Sequence, residues 1–226
     1  MRKVAFGLAL IAAIGAAVVC GAAGTADPPW QKLDEADGIS VYGREISGVS
    51  LLAMRGDGVV NAPLLRVASV LVDTTRSHEW VDSVAETRTL RKISDLEYVQ
   101  WNHVKTPWIV KDRDFVFTTK LSFAPATKQL SLDYHSVNDA AAPKTSYIRG
   151  QFTYGKFLLT SIDGGKRTRV QAELLCDPKG SLAKWMVNMV QKDWPQATLR
   201  GLRRQVAKVD IVDNPKLAQA LVQAGY

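Results

Sequence analysis

Cysteine and histidine are scarce in this chain of 226 residues, which holds two cysteines and three histidines. The histidines, His78, His103 and His135, stand far apart with no metal-ligand spacing, so no metal site is expected. There is no Gly-x-Ser-x-Gly elbow and no glycine-rich phosphate loop after a strand, which argues against a serine hydrolase and a nucleotide-binding enzyme. Neither a low-complexity stretch nor a repeat of solenoid length is visible among the 16 Gly and 9 Pro. The basic excess, 29 Lys+Arg against 22 Asp+Glu, is spread along the chain rather than gathered into a stripe with interleaved aromatics. It therefore gives no sign of a nucleic-acid partner, while a net charge of +7 suits transient contact with an anionic membrane surface. What remains, with 46% hydrophobic residues, is one globular domain of mixed class with a sizeable core.

The first 26 residues stand outside that globule. Arg2 and Lys3 precede an uncharged apolar run at 4–19, and Gly24, Thr25 and Ala26 offer a small-x-small cleavage site before Asp27. This is the pattern of a secretory signal peptide, so the protein is expected to be exported to the periplasm or the medium. The alternative is an uncleaved anchor, although the run falls short of the roughly 20 residues that span a bilayer. Cys20 leaves with the signal, so Cys176 is expected as an unpaired, small buried hydrophobe. The expected division is a signal at 1–26, a binding domain at 27–210 and a C-terminal tail at 211–226, in a monomer.

Along the mature chain the periodicity changes twice. After a lead-in with Trp30 and a short polar helical stretch, strands are expected at 39–46 and 50–60, then an amphipathic helix at 62–73, with Asn61 as its cap and Pro63 in its first turn. Period-two segments follow at 86–93, 96–105, 113–123, 129–136, 146–154, 156–162 and 167–176. Asp163, Gly164 and Gly165 form the clearest hairpin turn. Such a meander must curl around something to hide its apolar face. The closing element is a long helix to about Lys208, with Leu182, Trp185, Met186, Met189 and Val190 on one face and Pro195 inside it.

These residues resemble the START domain family, lipid-transfer domains related to the steroidogenic acute regulatory protein. The resemblance is carried by Trp30, the Gly-Ile-Ser-Val-Tyr-Gly-Arg run at 38–44, Ala62 and Pro63 opening a helix, and a stretch at 73–80 that ends in tryptophan. It continues through Lys-Asp-Arg-Asp-Phe-Val at 111–116, Tyr-Ile-Arg at 147–149 and Asp-Pro-Lys-Gly-Ser-Leu at 177–182. It implies an α+β helix-grip fold, a curved antiparallel sheet wrapped around a long C-terminal helix, with one lipid or sterol in an internal tunnel and no cofactor. Gln100 and Thr119 stand about where some members of the family carry tunnel charges, which leans toward a neutral or weakly polar ligand.

Alternation then supplies the expected lining. Phe115, Phe117 and Thr119 share one face of their strand, and Leu132 and Tyr134 share one face of theirs. Tyr98, Gln100 and Asn102 form a polar trio suited to a ligand hydroxyl or carbonyl, unless Val99, Trp101 and His103 are the residues that face the core. Trp185, Met186 and Met189 are expected on the ligand side of the closing helix. Arg149 is read as a clamp for a ligand carboxylate or as the partner of a surface acid. Arg113 and Asp114 are expected in a structural role, a bidentate ion pair that ties their strand to its neighbour, ahead of ligand binding, and Pro178 and Gly180 are expected to set the break before the last helix. The competing function is an enzyme of the same fold, with an acid-base site drawn from Tyr98, His103 or Asp133.

Overall fold

The computed structural model describes residues 28–106, 110–182 and 184–226, with the side chains at 184–186 and 188–190 outside that description. Ten strands form one sheet. They are β1 (Gln31–Ala36), β2 (Ile39–Glu45), β3 (Leu52–Val60), β4 (Val84–Lys92), β5 (Glu97–Val104), β6 (Arg113–Ala124), β7 (Gln129–Ser136), β8 (Ile148–Arg149), β9 (Gln151–Ile162) and β10 (Arg167–Asp177). The spatial order is β1-β2-β3-β10-β9-β7-β6-β5-β4, antiparallel throughout, with the two-residue β8 added parallel to the start of β6. Strands β9 and β10 are joined by the hairpin turn expected at 163–165, where Asp163, Gly164 and Gly165 all take positive φ.

The long helix α2 (Lys184–Val206) packs against β2, β3 and β10, and also against the short helix α1 (Leu64–Val72). Leu199 and Leu202 are fully buried beneath it, as the apolar stripe predicts. This is the helix-grip arrangement, with the main core between α2 and the sheet. Residues after 210, read as a tail, carry a third helix, α3 (Pro215–Gln223), whose Leu217 and Leu221 are buried in that same core. Asn214 caps it by accepting from the backbone N–H groups of Lys216 and Leu217.

Three local expectations are corrected. The polar stretch after Trp30 is a strand, β1, because an edge position on β2 supplies backbone hydrogen bonds that a short helix without an apolar face lacks. Segments 146–154 and 156–162 are not two strands, since β9 runs unbroken through Gly155. Asn61 does not cap α1, where Pro63 holds the cap position with no side-chain hydrogen bond. Trp30 does dock as expected, its ring lying under the guanidinium groups of Arg44 and Arg55 at 4.5 and 4.2 Å.

The sheet is buried on both sides around β5 and β6. Val99, Trp101 and Val116 form a second, outer cluster covered by Leu90, Val137, Ala142 and Tyr147. Asp114 ties this cover down. It accepts from Trp101 Nε1 at 2.9 Å, Thr145 Oγ1 at 3.0 Å and Arg149 Nε at 2.7 Å. Burial resists its ionisation, but the hydrogen bonds from Arg149, Trp101 and Thr145 prevail and hold the carboxyl below its ordinary value of 3.8.

Candidate binding cavity

Between the concave face of the sheet and α2 lies a cavity of about 480 Å³, within the ~300–1,000 Å³ usual for small-molecule sites. Each strand sends alternate side chains into it. Tyr98, Gln100 and Asn102 come from β5, Phe115, Phe117 and Thr119 from β6, and Leu132 and Tyr134 from β7. All eight are residues that the alternation places on the lining. Both readings of β5 also contain part of the answer, because Val99 and Trp101 are buried too, in the outer cluster.

An aromatic wall runs along the middle of the cavity. Phe115 stacks on Phe152 at 4.2 Å, and the rings of Phe117 and Tyr134 meet Phe152 edge-on at 5.3 and 5.5 Å. Burial pushes the Tyr98 and Tyr134 hydroxyls above the ordinary phenol range, so both stay neutral. Cys176 also lines the cavity, and burial, with a smaller contribution from the charge of Asp177, pushes its thiol up to about 12. It is inert rather than nucleophilic.

Helix α2 closes the cavity with Val187, Gln191, Trp194 and Thr198. These recur at helical spacing, a stripe that the sequence pattern passed over in favour of Trp185, Met186 and Met189, whose side chains lie outside the described residues. Phe152, Trp80 and Thr87 are further lining residues that pattern reading missed. Phe152 lay within a recognised strand, but a bulge between Phe152 and Tyr154 against β10 breaks the alternation there, so Phe152 faces the cavity and Tyr154 does not. Trp80 follows a 3-10 turn, Thr74–Glu79, that no periodicity marks.

Polar groups are few on this lining, and most of their bonds are internal. Thr119 Oγ1 donates to Gln100 Oε1 at 3.1 Å, a neutral cross-strand pair where tunnel charges were considered. Gln191 Nε2 donates to the Cys176 carbonyl at 2.6 Å. Lys105 and Arg113 are the cationic lining residues, and no aspartate, glutamate or histidine is found among the described ones.

Arg113 and Asp114 point to opposite faces, as neighbours on a strand do, and the bidentate ion pair expected to tie this strand to its neighbour is made by Asp114 alone, with Arg149 of β8. Arg113 turns inward and donates to the carbonyls of Lys111, Pro178 and Lys179, the last two at 3.3 Å. It thereby clamps the turn before α2, a structural role reached through carbonyls. Gly180 completes that turn with φ +75°. Asp114 turns outward to Arg149, so Arg149 is the partner of an acid and lies away from the cavity lining.

The acid-base trio considered for catalysis does not converge. Tyr98 faces the cavity, whereas His103 stacks on Tyr147 at 4.2 Å and binds Asp112 at 2.7 Å on the outer side. Asp133 is half-exposed beside Lys156. Among the described residues no group of acids, histidines and cysteines is arranged to hold a metal ion, and no helix is long and apolar enough to cross a membrane.

Comparison with known proteins adds an independent line. The START domain family model matches residues 16–208. A STAR-related lipid transfer protein fragment from Xanthomonas axonopodis, solved by crystallography, superposes with a TM-score of 0.70 at 25% identity, covering 79% of this chain and 99% of that one. The phosphatidylcholine transfer protein of Mus musculus is 26% identical over 174 residues, covering 73% of this chain and 77% of its own. An uncharacterized protein of Pseudomonas aeruginosa is 27% identical over 197 residues, covering 85% of this chain and 95% of its own.

Proposed function

This chain belongs to the START domain family, and from that premise we propose that it holds one hydrophobic ligand, sterol-like or long-chain acyl, and carries it between membranes without altering it. The family and its relatives support lipid binding or transfer in general. The observation that carries the finer reading is the cavity itself, roomy, walled by Phe115, Phe117, Leu132 and Phe152, and covered by α2. Burying hydrocarbon there contributes ~0.8 kcal/mol per CH₂, so ~10 methylenes supply ~8 kcal/mol before ordering costs, the scale of a micromolar complex.

A carrier is favoured over an enzyme because, Lys105 aside, the polar groups on the lining are neutral or already engaged. Gln100 is held by Thr119 and Arg113 by carbonyls. The signal-like segment at 1–26 supports export, and the dispersed positive charge supports brief contact of a monomer with anionic membranes.

Native mass spectrometry of protein exported by its host tests this reading. A one-to-one lipid adduct is expected, and vesicle-to-vesicle transfer should follow addition of the protein. A protein that stays unliganded and takes up neither sterol nor acyl probes refutes it. Recovery of a chemically altered lipid would point instead to the enzyme.

A further inference from the structure

The rows of side chains that line the cavity run deeper than the cavity does. Leu121 and Phe123 continue the inward row of Phe115, Phe117 and Thr119 on β6, Leu130 continues that of Tyr134 and Leu132 on β7, and Leu159 follows Phe157 on β9. Phe123, Leu130 and Leu159 stand opposite one another across the three strands. They make the last layer, one step of ~7 Å below Leu132 and Phe157. Leu132 and Phe157 line the cavity, whereas Leu121, Leu130 and Leu159 are buried in packed core.

Helix α3 covers the sheet at that depth. Its start reaches the β4–β5 turn, where Lys216 Nζ lies 3.7 Å from Asp95 Oδ1, and its end reaches the β6–β7 turn, where a Cβ on Gly225 would lie 3.9 Å from Pro125 Cβ. It thus crosses one end of the sheet, opposite the end where Lys105, Thr106, Pro178 and Leu182 line the cavity. Leu217 and Leu221, one turn apart, face inward and join the core cluster that holds Leu121, Leu130 and Leu159. The helix is held in place. Arg66 pairs with Asp213 and Arg76 with Asp210, both at 2.9 Å, and Asn214 N donates to Ser69 Oγ at 2.8 Å. It also lies past residue 208, where the match to the family model ends, so it is an addition to the matched domain.

We propose that α3 is a fixed floor that limits how deep an acyl chain can reach, so that the protein selects ligands by length, with Leu217 and Leu221 as the length-determining residues. The direction of entry follows from the side chains. Phe123, Leu130, Leu159, Leu217 and Leu221 at the floor are all apolar, while the cations of the lining, Lys105 and Arg113, are at the far end. The hydrocarbon end of an amphiphile therefore points to α3.

This assignment rests on the lipid-carrier reading, and the experiment separates the two. The protein is incubated with an equimolar mixture of saturated fatty acids from lauric to behenic acid, below their micellar concentrations, and native mass spectrometry reads which are bound. In the wild type, occupancy should rise about fourfold per added methylene and stop rising at a limiting length. In the double variant Leu217→Ala, Leu221→Ala that limit should move to longer acids, the next acid in the series gaining about tenfold over the wild type's limiting one. Val222→Ala, on the exposed face of α3, should leave the limit in place. Circular dichroism checks that each variant is folded, and either single alanine variant replaces the double one if that is not. A limit that stays put in the folded variants, or a wild type whose occupancy rises through to behenic acid, overturns the floor and leaves the carrier. Uptake of a sterol probe with no fatty acid bound does the same. Uptake of neither overturns both.

Discussion

Replacing Gly201 with alanine sets helix propensity against packing at a single atom. Gly201 lies inside α2, where alanine would ordinarily add about 1 kcal/mol of stability. Here a Cβ would fall 1.9 Å from the carbonyl oxygen of Trp80 and 3.0 Å from its carbonyl carbon. Both are backbone atoms, so no rotamer change relieves the contact. Nor can α2 simply retreat, because Leu199 and Leu202 on either side of Gly201 are fully buried. Overpacking of this kind costs about 1–3 kcal/mol, and relief by helix displacement adds lost burial of the two leucines. Net destabilisation of about 1–2 kcal/mol is expected, which in a domain of this size lowers Tm by about 3–8 °C. Thermal unfolding followed by far-UV circular dichroism reads it, with Ala197→Gly as a reference that isolates propensity. Since Trp80 lines the cavity, the same variant should release a bound lipid probe faster. A Tm equal to or above that of the wild type would refute the close approach of α2 to Trp80.

Three other outcomes are expected. Gly180→Val forces a β-branched residue into φ +75° and brings its Cβ to 3.0 Å from Ile148 Cδ1, so urea unfolding should show a loss of about 1–3 kcal/mol; an unchanged midpoint would contradict the turn. Cys176, its thiol pushed up to about 12 by burial, should react with an aromatic disulfide reagent at pH 8 at least about a hundredfold more slowly than free cysteine, and rapid labelling of folded protein would show that the cavity wall is open. Asp114 has a folded-state pKa held below 3.8, so its contribution is present above that value and is lost as pH falls through the lower, folded one. Acid titration of Asp114→Asn should therefore show lower stability at neutral pH and a shallower decline below about pH 4 than the wild type, whereas parallel curves would remove Asp114 from the acid response.

Most of the lining was legible because one rule governs it. A strand with one face on a cavity alternates, so Phe115, Phe117 and Thr119 follow from one another, as do Leu132 and Tyr134. The rule is silent where both faces are buried. Around β5 the outer face is roofed by Val137, Ala142 and Tyr147, which are remote in sequence, and nothing local says which of two buried faces is the inner one. For Arg113 and Asp114 the rule is sufficient, since adjacent strand residues cannot share a face. That one step separates the inward clamp on Pro178 and Lys179 from the outward knot with Arg149. Strand β1 was not legible from its own residues at all, because its stability comes from pairing with β2.

The same geometry links stability to what fills the cavity. A space of about 480 Å³ walled mostly by apolar side chains is costly to leave empty, because its lining lacks contact partners on one side. Water is a poor filler for most of it, because each molecule needs two to four polar partners and the wall of Phe115, Phe117 and Phe152 offers none. On the carrier reading proposed above, a molecule that is apolar along most of its length is the filler this wall accepts. The more completely such a molecule fills the space, the more the stability of the folded domain depends on carrying it.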